Sequence, residues 1–217
     1  MLKITNLCKS YSTPQGEMDV LKNLSLDIAA GEKVALVGES GCGKSTLLHV
    51  IAGLEPIQSG SVTVDTANIA TLDEAGRAAL RREKISLIFQ QFNLITSMTV
   101  ADNLSFEAKL AGRHDPDWTK KLSDRLDLTG MMDRYPEQLS GGQQQRLAIG
   151  RSFAARPKLI LADEPTGNLD EVNSDIVLDI AFELVAQTGC TLVLATHSSR
   201  LAKRADRIVR LSAGRLS

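Results

Sequence analysis

The chain opens on alternation. In "LKITNL" apolar and polar positions trade places, as they do in "NLSLDI" (Asn23 to Ile28) and, more briefly, in "SVTV" (Ser61 to Val64). A strand with one face in a core and the other in water reads this way, so the three segments predict a small antiparallel sheet near the N-terminus. A second pattern follows. "KVALV" (Lys33 to Val37), "ISLIF" (Ile85 to Phe89), "LILA" (Leu159 to Ala162) and "TLVLA" (Thr191 to Ala195) are short and nearly all apolar. Strands covered by helices on both faces have this character, which predicts a mostly parallel sheet. Helical stretches lie between, at Lys44 to Ala52, Glu74 to Arg82, Val100 to Ala111, Gly142 to Ala155 and Val172 to Gln187. Strands and helices in this order imply crossovers and an α/β class.

From about Gln91 to Arg156 the rhythm stops. The span is mainly helical, carries Trp118 and the Met131–Met132 pair, and offers no convincing strand. It is expected to be a helical subdomain inserted into the α/β core of one domain running over 1–217. No repeat, low-complexity tract or Pro/Gly/Ser-rich linker divides the chain.

Composition narrows the picture modestly. A chain of 217 residues suffices for one sizeable core and is short for two. A net charge of −1 argues against a nucleic-acid partner. Cys8, Cys42 and Cys190 are few, scattered and odd in number, the usage of reduced cytosolic thiols. "MLKITNLCKSY" lacks the apolar core of a signal peptide, and no apolar run is long enough to span a bilayer. Any contact with a membrane is therefore expected to go through another protein.

The chemistry starts at "VGESGCGKST". Gly38, Glu39, Ser40, Gly41, Cys42, Gly43, Lys44, Ser45 and Thr46 fit G-x-x-x-x-G-K-[ST] at every fixed position, between a predicted strand and a predicted helix. Glycines let backbone N–H groups converge on phosphates, and the helix start adds a favourable dipole. Lys44 is expected to reach the β- and γ-phosphates of ATP, and the Ser45 hydroxyl to coordinate Mg²⁺. A chance glycine turn is the competing reading, which the strand-loop-helix context argues against. In "LILADEPTGNLD", Asp163 ends an apolar strand, where parallel sheets place ligands, and a carboxylate there can hold Mg²⁺ through water. Glu164 follows and can accept a proton from an attacking water. A pair of capping acids ahead of Pro165 is the weaker alternative, since a buried strand seldom ends in two acids without a cation nearby.

A second glycine turn, "LSGGQ" (Leu139 to Gln143), stands before another helix. In isolation it is a serine-capped helix start. In this order with the other two motifs, the whole chain resembles an ATP-binding subunit of the ABC-transporter family, whose signature sequence is LSGGQ. The resemblance implies a head-to-tail homodimer in which each ATP lies between the P-loop of one copy and Ser140, Gly141, Gly142 and Gln143 of the other. It implies further that Tyr11 stacks on adenine, that Gln90 touches Mg²⁺ and senses a membrane partner, and that Asp170 crosses the dimer interface. His197 matches the histidine that contacts the γ-phosphate. Gln91 is a rival to Gln90, because register is uncertain by a residue. The family commonly has an acid after that histidine, where this chain has Ser198. This change is expected to be tolerated, with the orientation of His197 the open point.

Taken together, Lys44, Gln90, Glu164 and His197 are the expected catalytic set, and Ser45, Gln90 and Asp163 the expected metal contacts. Cys42 offers the P-loop a thiol that oxidation would modify. "LRREK" (Leu80 to Lys84) reads as a solvated helix face, and His49, His114, Cys8 and Cys190 lack metal-ligand spacing. "STPQGEMD" between Tyr11 and Val20, with "LDEAGRAALRREKISLIFQQFNLITSMTVADNL", resembles the MacB/LolD group of exporters and extractors. That implies an integral-membrane permease partner and a peripheral place on the cytoplasmic face of a bacterial inner membrane. An FtsE-like regulator of cell-wall enzymes and an importer subunit are the near alternatives. A soluble ATPase of DNA repair or translation is the distant one, since the chain has neither a long coiled coil nor a second cassette.

Overall fold

The structure, a computed structural model, describes residues 1–14 and 16–217. Strands β1 (Leu2–Thr13) and β2 (Gly16–Ile28) come first, and β3 (Lys33–Val37) leads into helix α1 (Lys44–Ile51). Next are β4 (Ser59–Val64), β5 (Ala67–Asn68), α2 (Glu74–Glu83) and β6 (Ile85–Ile88). A helical stretch holds α3 (Val100–Leu110), α4 (Pro116–Arg125) and α5 (Gly141–Ala154). The chain finishes with β7 (Leu159–Asp163), α6 (Glu171–Thr188), β8 (Thr191–Thr196), α7 (Ser199–Ala202), β9 (Arg207–Ser212) and β10 (Arg215–Leu216). Two compact units are formed. One is Met1–Arg81 with Leu161–Asp163 and Thr191–Ser217; the other is Arg82–Ile160 with Glu164–Cys190.

The first unit contains both kinds of strand that the hydrophobic pattern distinguishes. Its antiparallel sheet has the order β2-β1-β4-β5. Alternation along β1 is interrupted: Leu2 and Ile4 are buried, and the next buried residue is Leu7, not residue 6. Asn6, at φ 49°, sits in a bulge between the pairs Ile4–Leu26 and Leu7–Leu24, and the extra residue resets which face is inside. Of the segment Ser12–Asp19, Gln15 lies outside the described residues.

The second sheet runs β10-β9-β3-β8-β7 in this unit. β3 is parallel to both neighbours, with Val37 opposite Thr196 on β8 and Arg210 on β9. β8 is buried along its whole length, as its unbroken apolar run requires. β9 and β10 add to the strands expected from sequence. Val209 and Leu211 point into the core and Arg210 and Ser212 away from it, an alternation shortened by the turn at Ala213–Gly214.

In the second unit, α3 packs on α5, and α4 and α6 also lie against α5. Trp118, Leu122, Leu104, Leu147 and Phe153 fill its core. The indole N–H of Trp118 donates to the Phe153 carbonyl at 3.1 Å, so the bulky ring is buried without an orphaned donor. Periodicity does not separate α4 from its neighbours, yet its ends are clearly marked. Asp115 caps it through the Trp118 N–H and Pro116 occupies the first turn. β6 and the start of β7 meet here, where the N–H groups of Lys158 and Leu159 both donate to the Lys84 carbonyl.

Candidate functional site

In the first unit the expected phosphate loop leaves β3 at Gly38 and enters α1 at Lys44. Gly43 occupies the cap position with φ 106° and ψ 11°, a conformation that a side chain would make strained, and no side chain caps the helix. The start of α1 is therefore left to accept an anion. Lys44 is only 5 % exposed, and its ammonium donates to the carbonyls of Gly38 at 2.9 Å and Glu39 at 3.0 Å. A buried cation is thus held across the loop, beside exposed Glu39, Ser40, Gly41 and Ser45 and half-buried Cys42 and Thr46.

His197 follows β8 as Gly38 follows β3, and the two strands are parallel neighbours in register at their ends. His197 shares a cavity of about 460 Å³ with Val37, Gly38, Glu39, Lys203 and Arg210. Ser198 takes over a helix start: its hydroxyl accepts from the Leu201 N–H at 3.4 Å, and its own N–H donates to Thr196 Oγ1 at 3.0 Å. Serine caps a helix about as well as an acid does, so this substitution leaves the turn after His197 intact. Tyr11 lies opposite Met18 on the β1–β2 ribbon, with the Lys9 ammonium 5.0 Å from its ring centre. Lys9 is in turn paired with Glu55 at 2.9 Å.

Asp163 closes β7, the strand beside β8. Its Oδ1 is buried and has no hydrogen-bond partner. A carboxylate oxygen is seldom left that way unless a cation or an ordered water completes it, so the residue fits an Mg²⁺ contact. Among the described residues no group of three or more His, Cys, Asp or Glu side chains could hold a metal. Mg²⁺ at this position would have to take its other ligands from phosphate, hydroxyl, amide and water oxygens.

The remaining expected residues belong to the second unit. Glu164 has φ 44°, a left-handed conformation costly for a side chain with a Cβ, and its carbonyl accepts from the Gly167 N–H at 2.9 Å. Gln90 is tied to the same turn. The Asn168 side chain donates to the Gln90 carbonyl at 3.0 Å, and Gln90 Nε2 donates to Asn168 Oδ1 at 3.4 Å. Gln90 and Gln91 are both exposed, and these bonds belong to Gln90.

Ser140 caps α5 in a reciprocal box. Its hydroxyl accepts from the Gln143 N–H at 3.3 Å, and Gln143 Oε1 accepts from the Ser140 N–H at 2.9 Å. Gly142 lies against Asn173, where a Cβ would come within 2.9 Å of Asn173 Oδ1. Asp170 caps α6 and holds Asn173 through both its N–H and its side-chain amide. Those donors pull the Asp170 carboxyl below its ordinary range, the backbone N–H of Asn173 first. Asn168, Asn173 and Gln145 were not singled out from sequence. Gln145 is fully buried with neither amide atom partnered. No local motif signals Asn168, whose partner Gln90 is distant in the chain, or the contact of Asn173 with Gly142.

Residues 21–167 match the model of the ABC transporter family. An uncharacterised ABC transporter ATP-binding protein of Mycobacterium tuberculosis is 43 % identical over 100 % of this chain and 88 % of its own length. The methionine import ATP-binding protein MetN of Caulobacter vibrioides is 42 % identical over 100 % of this chain and 65 % of its own. The macrolide export ATP-binding/permease protein MacB of Campylobacter jejuni is 41 % identical over 100 % of this chain and 33 % of its own. Among solved structures, the dimeric post-hydrolysis state of the ATP-binding cassette MJ0796, bound to ADP and Pi, superposes with a TM-score of 0.91 at 34 % identity. It covers 100 % of this chain and 97 % of that one.

Proposed function

The chain belongs to the ABC transporter family and is an ATP hydrolase, and from that premise we propose that it drives a membrane permease of the MacB/LolD type. Two copies close head to tail on two ATP molecules. The Gly38–Thr46 loop and Lys44 of one copy hold the phosphates, and Ser140, Gly141, Gly142 and Gln143 of the other complete each site, with Asp170 at the seam. Tyr11 stacks on adenine. Glu164 takes the proton of the attacking water, and Gln90 and His197 orient the γ-phosphate end. Ser45, Asp163 and Gln90 are the residues that would hold Mg²⁺, which when bound would supply charge neutralisation at the phosphates.

The observation that carries this reading is Lys44, a buried cation closing a glycine loop at a helix start that no side chain caps. A loop made for packing alone has no need of a buried ammonium there. Full-length similarity to the ATP-binding part of MacB supports the branch. Among the described residues no helix is long and apolar enough to cross a membrane, consistent with peripheral attachment through the permease at the cytoplasmic face of a bacterial inner membrane. MetN is matched as well as MacB is, which favours an importer subunit as the second reading.

The test is to trap the complex. Tagged Glu164→Gln purified from membranes with ATP should bring down a permease with few spans and a large extracytoplasmic domain. A many-spanning importer permease would move the protein to the second reading. Recovery from the soluble fraction with nucleic acid or ribosomes would overturn the transport role.

A further inference from the structure

Arg151 lies near the C-terminal end of α5 and is 6 % exposed. Its Nη1 donates to the Asn93 carbonyl at 2.8 Å and its Nη2 to the Phe92 carbonyl at 3.5 Å. Nε faces Glu107 Oε1 of α3 at 3.3 Å, and the other oxygen of Glu107 accepts from the Ser86 hydroxyl of β6 at 2.7 Å. The guanidinium carried by α5 therefore meets α3 and the loop that follows Gln90, and β6 joins them through Glu107.

The same loop is gripped at two more points. Asn103 is fully buried; it accepts from the Ile95 N–H at 2.9 Å and donates to the carbonyls of Ile95, Met98 and Thr99 at 2.9, 3.0 and 3.1 Å. At the other end of α5 the Phe92 ring lies against Gly141, where a Cβ would stand 3.7 Å from Phe92 Cζ. The loop thus touches the first turn of α5 through Phe92 and the last turns through Arg151. A buried ion pair is a costly way to stabilise a fold, because desolvation offsets most of the attraction. What the planar fork supplies is geometry: Nη1 and Nη2 bond two loop carbonyls while Nε faces Glu107, a rigid planar spread that the flexible lysine ammonium lacks.

We propose that Arg151 is a positioning residue that locks the Gln90–Asn93 loop to α5, so that a displacement of Gln90 is passed to Gly141 and Gly142. The proposal deepens the reading of Gln90 and the Ser140–Gln143 turn as nucleotide-facing groups, and rests on it. In a head-to-tail dimer these groups serve different ATP molecules, so the clamp links the two sites within one chain.

The experiment uses the full chain as wild type, Arg151→Lys, and the double variant Glu107→Gln/Arg151→Met. Lysine keeps the charge beside Glu107 without the fork. The double variant replaces the buried pair by neutral groups, a change that folds usually tolerate. Hydrogen–deuterium exchange is followed across the chain, with ATP affinity, KM and kcat measured alongside. In both variants the Ile95 and Met98 amides are expected to exchange about tenfold faster while β3 and β8 stay protected, with ATP affinity and KM unchanged and kcat lowered about tenfold. Wild-type exchange over residues 90–99 with wild-type kcat in the folded double variant would overturn the clamp. So would faster exchange spread evenly over the unit, which marks a merely structural pair. Gln90→Ala with Arg151 in place separates the underlying reading. If it hydrolyses ATP at the wild-type rate, the role of Gln90 fails and transmission with it, whereas loop exchange reports on the clamp independently.

Discussion

Asn168 and Gln90, far apart in the chain, are bonded to each other twice, amide to carbonyl at 3.0 Å and amide to amide at 3.4 Å. The turn that begins at Glu164 and the segment that follows β6 therefore hold one another. Asn168→Ala removes both bonds and frees the Gln90 side chain. At about 1 kcal/mol for a bond of this kind, kcat is expected to fall about fivefold with ATP affinity unchanged. Steady-state hydrolysis beside equilibrium nucleotide binding checks it; an equal loss in both would assign Asn168 to folding.

Glu164→Gln keeps the shape of the side chain and loses the base. Hydrolysis should drop by about a hundredfold or more, while ATP is still bound and a dimer accumulates. Size-exclusion chromatography with and without ATP reports the dimer, and a variant that turns over at the wild-type rate removes Glu164 from the role of base.

Lys44→Ala deletes the charge held by the Gly38 and Glu39 carbonyls. ATP binding is expected to weaken about 30- to 100-fold, the scale of one charged hydrogen bond to phosphate. Calorimetric titration of ATP gives the number, and unchanged affinity would move the phosphates elsewhere.

Gln145 carries two buried polar atoms without partners. Gln145→Met keeps the volume and removes the unpaired amide. The fold should gain about 1–3 kcal/mol, with Tm rising about 2–4 °C for each kcal/mol in a chain of this size. A lower Tm in thermal unfolding would mean that the amide is bonded in solution.

Burial raises the Glu107 carboxyl above its ordinary value of 4.5, with the Ser86 hydroxyl and then Arg151 pulling the other way. A carboxyl raised on folding holds its proton more tightly in the folded state. Its contribution therefore favours the fold at low pH and is lost as pH rises through the folded value. Other acids, Asp170 among them, are shifted downward and act in the opposite sense. The difference between Glu107→Gln and wild type isolates the one group: it should become steadily more favourable to the variant as pH rises from about 4.5. Urea unfolding at several pH values measures it, and a flat difference would place Glu107 at its ordinary value.

Much of this molecule is written locally. β3 is Lys33–Val37 as the unbroken apolar run requires, the buried β6, β7 and β8 lie where their runs do, and α5 starts at the capping serine of "LSGGQ". Such features depend on residues a few positions apart, through side-chain alternation, backbone dihedrals and orphan N–H groups at helix ends, and so a linear reading recovers them. The same holds for the loop Gly38–Thr46, where fixed spacing and glycine geometry suffice. Where alternation is broken by a bulge, as at Asn6, the local rule misleads by one residue.

What the chain could not declare by itself is which distant polar groups find each other. Arg151 on Glu107 and the Phe92–Asn93 carbonyls, Asn168 on Gln90, and Asn173 against Gly142 each join segments separated by many residues. Nothing in the spacing of Arg151 distinguishes it from a surface arginine. Only packing decides that it is buried, and burial is what turns a solvated charge into a fixed joint: removed from water, its Nη groups bond the carbonyls of the loop after Gln90, while Nε makes no hydrogen bond and faces the charge of Glu107.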